Sequence, residues 1–426
     1  MARKVLISFL GTGVYESKEK RTYRTTNYHL GNEDLGEYPF MSAALKKHYG
    51  IDTTLLIGTT HSMWEEVYRW YTAEATPPCT DEDVYLNIAD ACEKANHNSP
   101  LAIPHRDAIE KALGKDSKVV LIKYGLDEKE IRENINIILA LQEHLQKNDE
   151  LIVDVTHSFR SLPMYMMNLL IYLKNVSNKN ISISHIHYGM FEVKEELGFV
   201  PIIDLKTTMD VNDWMIGAYS FSQFGNAYTI ARLMKEENKS VTTLLTEFSD
   251  LMNLNYLFAI QNIAQRLSAI RKMEYNTMLP QLIINPIVND FVEKFNVHDE
   301  RKHALFQLKV ARWQLNHKKY ALALISSIEA MVTYVCEQNR KVGEALSGKL
   351  EKVWEDYDFR EMVKDRLRKG HDGEIPLECD KELTYIFREL NPYRNSIAHH
   401  LEQTENAQTI IKAISDNIVK LERIIK

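Results

Sequence analysis

Near Met209 the chain changes period. Upstream, short apolar runs alternate with amphipathic helical patterns, and downstream only long helical patterns remain. The upstream runs predict strands at Lys4 to Leu10, Thr53 to Ile57, Lys118 to Tyr124, Glu150 to Val155 and Ile181 to Tyr188. Between several of them lie predicted helices, at Phe40 to His48, Ser62 to Tyr71, Glu128 to Gln146 and Leu162 to Lys174. That alternation predicts an α/β domain with a largely parallel sheet. Ligands of such sheets sit in the crevice beyond the carboxyl ends of the strands. Downstream, Asp213 to Glu237, Val241 to Asn253, Tyr256 to Arg271 and Lys302 to Asn316 read as helices, with Pro280 and Pro286 interrupting the run near a loop. The expected division is an α/β domain over 1–205, a helical connector over 206–300 and an all-α domain over 301–426.

At 426 residues, with 45% hydrophobic and 26% charged, the chain has material for two or three separate cores. A net charge of −7 argues against a broad surface that coats nucleic acid, since such binding rests on neutralising phosphates, so any RNA contact has to be local. No run approaches the roughly 20 apolar residues of a membrane span, and the N-terminus enters a strand pattern directly. A cytoplasmic protein is expected. Cys79, Cys92, Cys336 and Cys379 lack the spacing of a zinc site, which predicts free thiols and no metal.

Two predicted strand ends carry distinctive residues. The first runs into Gly11-Thr12-Gly13, where glycine lets backbone amides approach a ligand closely. Glu16 stands where a dinucleotide fingerprint requires a third small residue, which disfavours a nicotinamide cofactor. The fourth strand ends in Thr156-His157-Ser158-Phe159-Arg160, and Pro163 permits a helix to start there. Hydroxyls, an imidazole and a guanidinium at a strand-to-helix turn suit an anion or nucleotide. The competing reading makes Thr156 or Ser158 a helix cap, pairs Arg160 with a carboxylate and buries Asp154 against backbone amides. Two such turns at one sheet edge favour a nucleotide-like ligand containing phosphates.

Near the C-terminus stands Arg394-Asn395-Ser396-Ile397-Ala398-His399, followed by His400. RNA carries its own nucleophile, the 2′-hydroxyl, so a cleaving enzyme needs only groups that move protons and groups that stabilise charge on the phosphorane. His399 and Arg394 suit those two tasks without metal. The same spacing in Arg24/His29 falls in a polar stretch, and in Arg366/His371 it straddles Gly370 at a helix end. Only Arg394/His399 reads as opening a helix, with Asn391 as N-cap, Pro392 in the first position and the apolar-periodic Ile410, Ile411, Ile414, Ile418 and Leu421 beyond. Residues five apart on a helix differ by about 140° in direction, so one copy does not aim both groups at one phosphate. Two copies meeting at a two-fold axis would form a shared cleft. The plainer alternative leaves both as exposed helix residues. Trp313, Tyr320, Leu324, Ile328 and Met331 recur as a core-facing surface should. Glu329 is expected to orient an arginine or cap a backbone group, and Lys364 to Lys369 reads as a solvated helix end.

Together, Leu10-Gly11-Thr12-Gly13, Asp154-Val155-Thr156-His157-Ser158-Phe159-Arg160, His187-Tyr188-Gly189-Met190-Phe191, Asp213-Trp214 and Arg394-x4-His399 resemble the CRISPR-associated CARF-HEPN ribonucleases, accessory effectors of type III CRISPR systems. The resemblance spans nearly the whole chain. It implies an N-terminal Rossmann-like CARF sensor that dimerises and binds a cyclic oligoadenylate, and a C-terminal α-helical HEPN domain that cuts single-stranded RNA without metal. It places Gly11, Thr12, Gly13 and Thr156 to Arg160 on the activator, and Arg394 with His399 at the catalytic pair, supported by Asn395 and His400. Cyclic tetra-adenylate is favoured over the hexamer by resemblance. No cofactor is implied beyond this allosteric activator, and the expected assembly is a homodimer or a set of dimers. The other reading is a non-catalytic cyclic-nucleotide sensor that binds a protein or nucleic-acid partner.

Overall fold

In the run Lys-Val-Leu-Ile-Ser-Phe-Leu, successive side chains leave opposite faces of a strand. Val5, Ile7 and Phe9 pack into one apolar cluster, and Leu6 and Leu10 into another. The computed structural model describes all of the chain except residues 1, 18–19, 23–24, 158, 271–272, 276–277, 296–301, 349–351, 372 and 400–405, and the side chains of 14–17, 20–22, 347, 398 and 399. It divides into two units, Met1–Asp210 and Val211–Lys426.

The strands of the first unit are β1 (Lys4–Leu10), β2 (Val14–Ser17), β3 (Lys20–Thr22), β4 (Thr26–Leu30), β5 (Glu33–Tyr38), β6 (Thr53–Gly58), β7 (Lys118–Leu121), β8 (Glu150–Asp154), β9 (Ser182–Gly189) and β10 (Val200–Asp204). They form one sheet in the order β5-β4-β10-β9-β8-β1-β6-β7, with β2 and β3 in a separate hairpin. From β9 through β8, β1 and β6 to β7 the strands run parallel; β10 opposes β9, and β5 opposes β4. Buried on both faces, β1, β6, β7 and β8 read as near-continuous apolar runs, which made them visible in the sequence, whereas β9, Ser-Ile-Ser-His-Ile-His-Tyr-Gly, is only partly buried. The strands β4, β5 and β10 were not expected. They carry few buried side chains, and β5 reads Glu-Asp-Leu-Gly-Glu-Tyr, which no alternation marks as a strand. The helices Glu82–Lys94 and Arg106–Leu113 were missed for a related reason, since each buries only two residues.

At the far edge, β7 is closed by side chains. Glu110 accepts the Val119 amide at 3.1 Å and the Arg106 guanidinium donates to the Val119 carbonyl at 2.6 Å, which blunts an edge open to another strand.

The second unit is helical and holds two apolar cores. The helix His303–Asn316 serves both: Phe306, Val310 and Trp313 enter the first, while Ala304, Leu308 and Ala311 enter the second. The helix expected over Asp213 to Glu237 is broken. Thr207–Phe224 ends at Gly225, whose φ of 66° suits glycine, and Tyr228–Leu233 follows. Pro280 and Pro286 were expected to interrupt the helical run, yet both lie within the helix Met278–Phe295. A proline inside a helix costs roughly 3 kcal/mol. Burying each of Ile284, Val288, Phe291, Val292 and Phe295 contributes about 1.5–3 kcal/mol, which outweighs it. The helix Tyr320–Gln338 is long and apolar enough to cross a membrane by composition, and most of it is buried within the unit. Of the expected core surface, Leu324, Ile328 and Met331 on this helix and Trp313 on the preceding one are buried, with Tyr320 packed at the margin. Glu329 pairs with Arg360, and the charged stretch Lys364 to Lys369 ends its helix at Gly370.

Candidate functional site

The two glycine- and hydroxyl-bearing turns meet. A cavity of about 250 Å³ at the carboxyl ends of β1, β6 and β8 is lined by Gly11, Thr12, Thr156, His157 and Phe159 over an apolar floor that includes Phe9, Ile57, Ile122 and Leu162. β1 is where strand order reverses, with β6 and β7 on one side and β8 and β9 on the other, the position at which α/β sheets open a crevice. Gly13 has φ 74°, which favours glycine, and is followed by strand β2 instead of a helix. The strand–turn–helix context of a dinucleotide fingerprint is therefore absent at this turn. Arg160 is exposed and does not line the cavity, and Ser158 lies outside the described residues.

Hydrogen bonds beneath the cavity fix the second turn. The Asp154 carboxylate, fully buried, accepts the Ser8 hydroxyl at 2.6 Å and the Thr156 amide at 2.9 Å. The Thr156 hydroxyl accepts the Gly189 amide at 2.8 Å, which ties the turn to the end of β9. A Cβ on Gly189 would lie 2.9 Å from the Met41 sulfur and 3.2 Å from Thr156 Cγ2, so any larger residue at this strand end would have to push those side chains aside. Burial pushes the His157 imidazole below its usual pKa, opposed by the nearby Asp154 carboxylate. Such an imidazole is neutral at pH 7, able to donate to or accept from a ligand. Phe159, 40% exposed, has its ring 5.6 Å from that of Tyr124, leaving an aromatic face at the mouth.

Thr59 and Ser62, beyond β6, also line the cavity and were not singled out from the sequence. Ser62 accepts the Thr59 amide at 3.0 Å and donates to the Leu10 carbonyl at 2.8 Å, so it holds the ends of β1 and β6 together. The dipeptide Gly58-Thr59 with Ser62 at the end of an apolar strand was the available signal.

In the second unit, Arg394 and His399 share the helix Lys381–His399, but the expected start at Asn391-Pro392 is wrong. The helix begins ten residues earlier, after Asp380, whose carboxylate accepts the Glu382 amide at 2.7 Å, and it runs through Pro392. Leu383, Ile386, Phe387 and Leu390 supply its buried face. The expected continuation belongs to a second helix, Ala407–Ile424, capped by Asn406. Arg394 is exposed and donates to the Asn395 side-chain oxygen at 3.2 Å. The His399 side chain and all of His400 lie outside the described residues. A further Arg-x4-His spacing, Arg312/His317, escaped the sequence reading; Arg312 pairs with Glu422 at 2.6 Å and His317 bonds the Trp313 carbonyl at 2.7 Å. The described residues contain no group of His, Cys, Asp and Glu arranged to hold a metal.

Residues 210–301 match the family model of CRISPR-associated protein MJ1674, second domain, and residues 5–192 match that of CRISPR system endoribonuclease Csx1, CARF domain. The CRISPR-associated protein MJ1674 of Methanocaldococcus jannaschii is 30% identical over 348 residues, which cover 78% of this chain and 54% of that protein. The chain thus spans about half the length of the curated relative it matches, at 54%. The solved structure of Enterococcus italicus Csm6 bound to cyclic hexa-2′-fluoro-hexa-dAMP aligns over 100% of this chain and 94% of that chain, at 11% identity and a TM-score of 0.34, a likeness too loose to carry an argument. With a sheet of this topology under the Csx1 domain match and the MJ1674 match continuous beyond it, the chain belongs to the CRISPR-associated CARF proteins.

Proposed function

We propose that the chain is a metal-independent endoribonuclease that cuts single-stranded RNA when a cyclic oligoadenylate, cyclic tetra-adenylate in the favoured case, occupies its CARF domain during type III CRISPR defence in the cytoplasm. One observation carries this reading: the turns at Gly11-Thr12 and Thr156-His157-Phe159 line one cavity at the switch point of the sheet. Hydroxyls and a neutral imidazole offer hydrogen bonds to a phosphodiester and base, and Phe159 offers a face on which a base stacks. Gly13, Ser158 and Arg160 extend the same binding surface in this proposal. Residues 206–300 act as connector and 301–426 as a HEPN ribonuclease domain.

In that domain Arg394 neutralises the phosphorane and His399 handles the proton, with Asn395 and His400 in support. The 2′-hydroxyl attacks the adjacent phosphorus, the bond to the 5′-oxygen breaks, and the products are a 2′,3′-cyclic phosphate and a 5′-hydroxyl. Two copies complete the site in this proposal, because residues five apart on an ideal helix differ by about 140° in direction. The test is cleavage of a fluorescently quenched single-stranded RNA in EDTA, with cyclic tri-, tetra- and hexa-adenylate in turn. Cleavage switched on by one ring and lost in His399→Ala supports the proposal. Binding of a ring with no RNA turnover moves the assignment to a non-catalytic sensor.

A further inference from the structure

The turn joining the helices Lys239–Leu254 and Leu257–Ile270 forms one wall of an open recess. Leu254 and Tyr256 line it yet stand 60% and 58% exposed. The recess, of about 540 Å³, has further apolar walls that include Leu257, Phe258, Leu322 and Ile325. A settled turn would bury those side chains in that space.

What holds the turn away is polar. Asn255, left-handed at φ 57°, accepts the Gln314 side-chain amide at 2.8 Å and donates to the Ser326 hydroxyl at 3.2 Å, while Ser326 donates to Gln314 at 2.7 Å. This closed ring links the turn to the helices His303–Asn316 and Tyr320–Gln338, and Gln314 and Ser326 are buried. At the cavity floor the Gln307 side-chain oxygen, also buried, has no protein donor among the described residues. An unsatisfied acceptor below and exposed apolar groups above mark a local arrangement with a competitor.

We propose that the segment Leu254 to Ala259 is a latch: it has a closed position, in which Leu254 and Tyr256 fill the cavity against the helix Tyr320–Gln338, and the Asn255–Gln314–Ser326 ring is the catch that holds it open. The ring has discrete hydrogen-bonding partners, so the latch has two positions and not a continuum. Its control by cyclic oligoadenylate, and through it control of RNA cleavage, rests on the function proposed above; the existence of the latch does not.

Hydroxyl-radical footprinting of the full chain reads it directly. Asn255→Gly keeps the left-handed turn and removes the catch, and Ser326→Ala removes it from the other side. Both are expected to lower Tyr256 labelling severalfold without ligand, while buried Phe248 stays unlabelled as a check on folding. Cyclic tetra-adenylate is expected to lower it in the wild-type protein. Labelling of Tyr256 that is unchanged in both variants overturns the latch, as does a fall that depends on protein concentration, which would make the patch an interface between copies. A response in the variants with none to any cyclic oligoadenylate upholds the latch and removes its link to the proposed activator.

Discussion

His187 lies on β9 beside Asp154, its Nε2 2.8 Å from the Tyr49 hydroxyl and its ring stacked on that of His185. Burial, outweighing the pull of Asp204, lowers its pKa to about 4. An unfolded histidine titrates near about 6.5, so between those values the unfolded chain binds more protons than the folded one. The stabilisation is complete above about pH 6.5 and is lost as pH falls toward 4, up to about 3 kcal/mol. Melting temperatures from pH 4 to 8 should fall more steeply on the acid side for the wild type than for His187→Phe; equal slopes would show that other groups set the acid limit. At Gly58 an added Cβ would lie 2.8 Å from both Ser62 Oγ and Trp64 Cζ2. Gly58→Ala is expected to cost roughly 1–3 kcal/mol by overpacking and to weaken the proposed binding of cyclic oligoadenylate, read by denaturant titration and calorimetry. Among single residues, Gly11, Thr12, Thr156, His157 and Phe159 stood out in the sequence as glycine, hydroxyl, imidazole and aromatic groups at two strand ends, and they line one cavity. Ser62 was not, because a serine four residues past a strand looks like any turn former until its two hydrogen bonds are seen.

Elements were legible where burial is two-sided or periodic. The central parallel strands β1, β6, β7 and β8 announced themselves as apolar runs, and β5 stayed hidden because an edge strand needs no apolar face. Proline misled the reading at Pro286 and Pro392, where a proline was taken as punctuation and packing overrode it. Leu383, Ile386, Phe387 and Leu390 had the helical period that would have corrected the second case. At the β7 edge, Glu110→Ala should leave the Val119 amide and the nearby Lys118 ammonium, now 2.7 Å from the carboxylate, without their partner. The expected loss is about 1–3 kcal/mol in urea titration, with greater aggregation at the transition midpoint. Glu110→Gln, which keeps an acceptor, should recover part of it.

At the scale of the whole chain, the proposed two-copy nuclease predicts that Arg394→Ala lowers RNA cleavage by on the order of 10²–10³-fold while ligand binding is kept. Full activity in that variant would remove Arg394 from the chemistry. The sequence showed the change from α/β to all-helical near Met209 and a division of the helical half near residue 300, yet not that one helix, His303–Asn316, serves both of its cores, since apolar period reports that a helix has a buried face and not which partner covers it. The helix His303–Asn316 bears on how this molecule can be taken apart. A fragment stopped at residue 301 lacks Phe306, Val310 and Trp313, and one begun after Asn316 lacks Ala304, Leu308 and Ala311. Neither truncation leaves a complete interior, so excised pieces should bind hydrophobic dyes and precipitate, and whoever wishes to study the two ends of the chain separately will have to let both pieces keep a copy of the same helix.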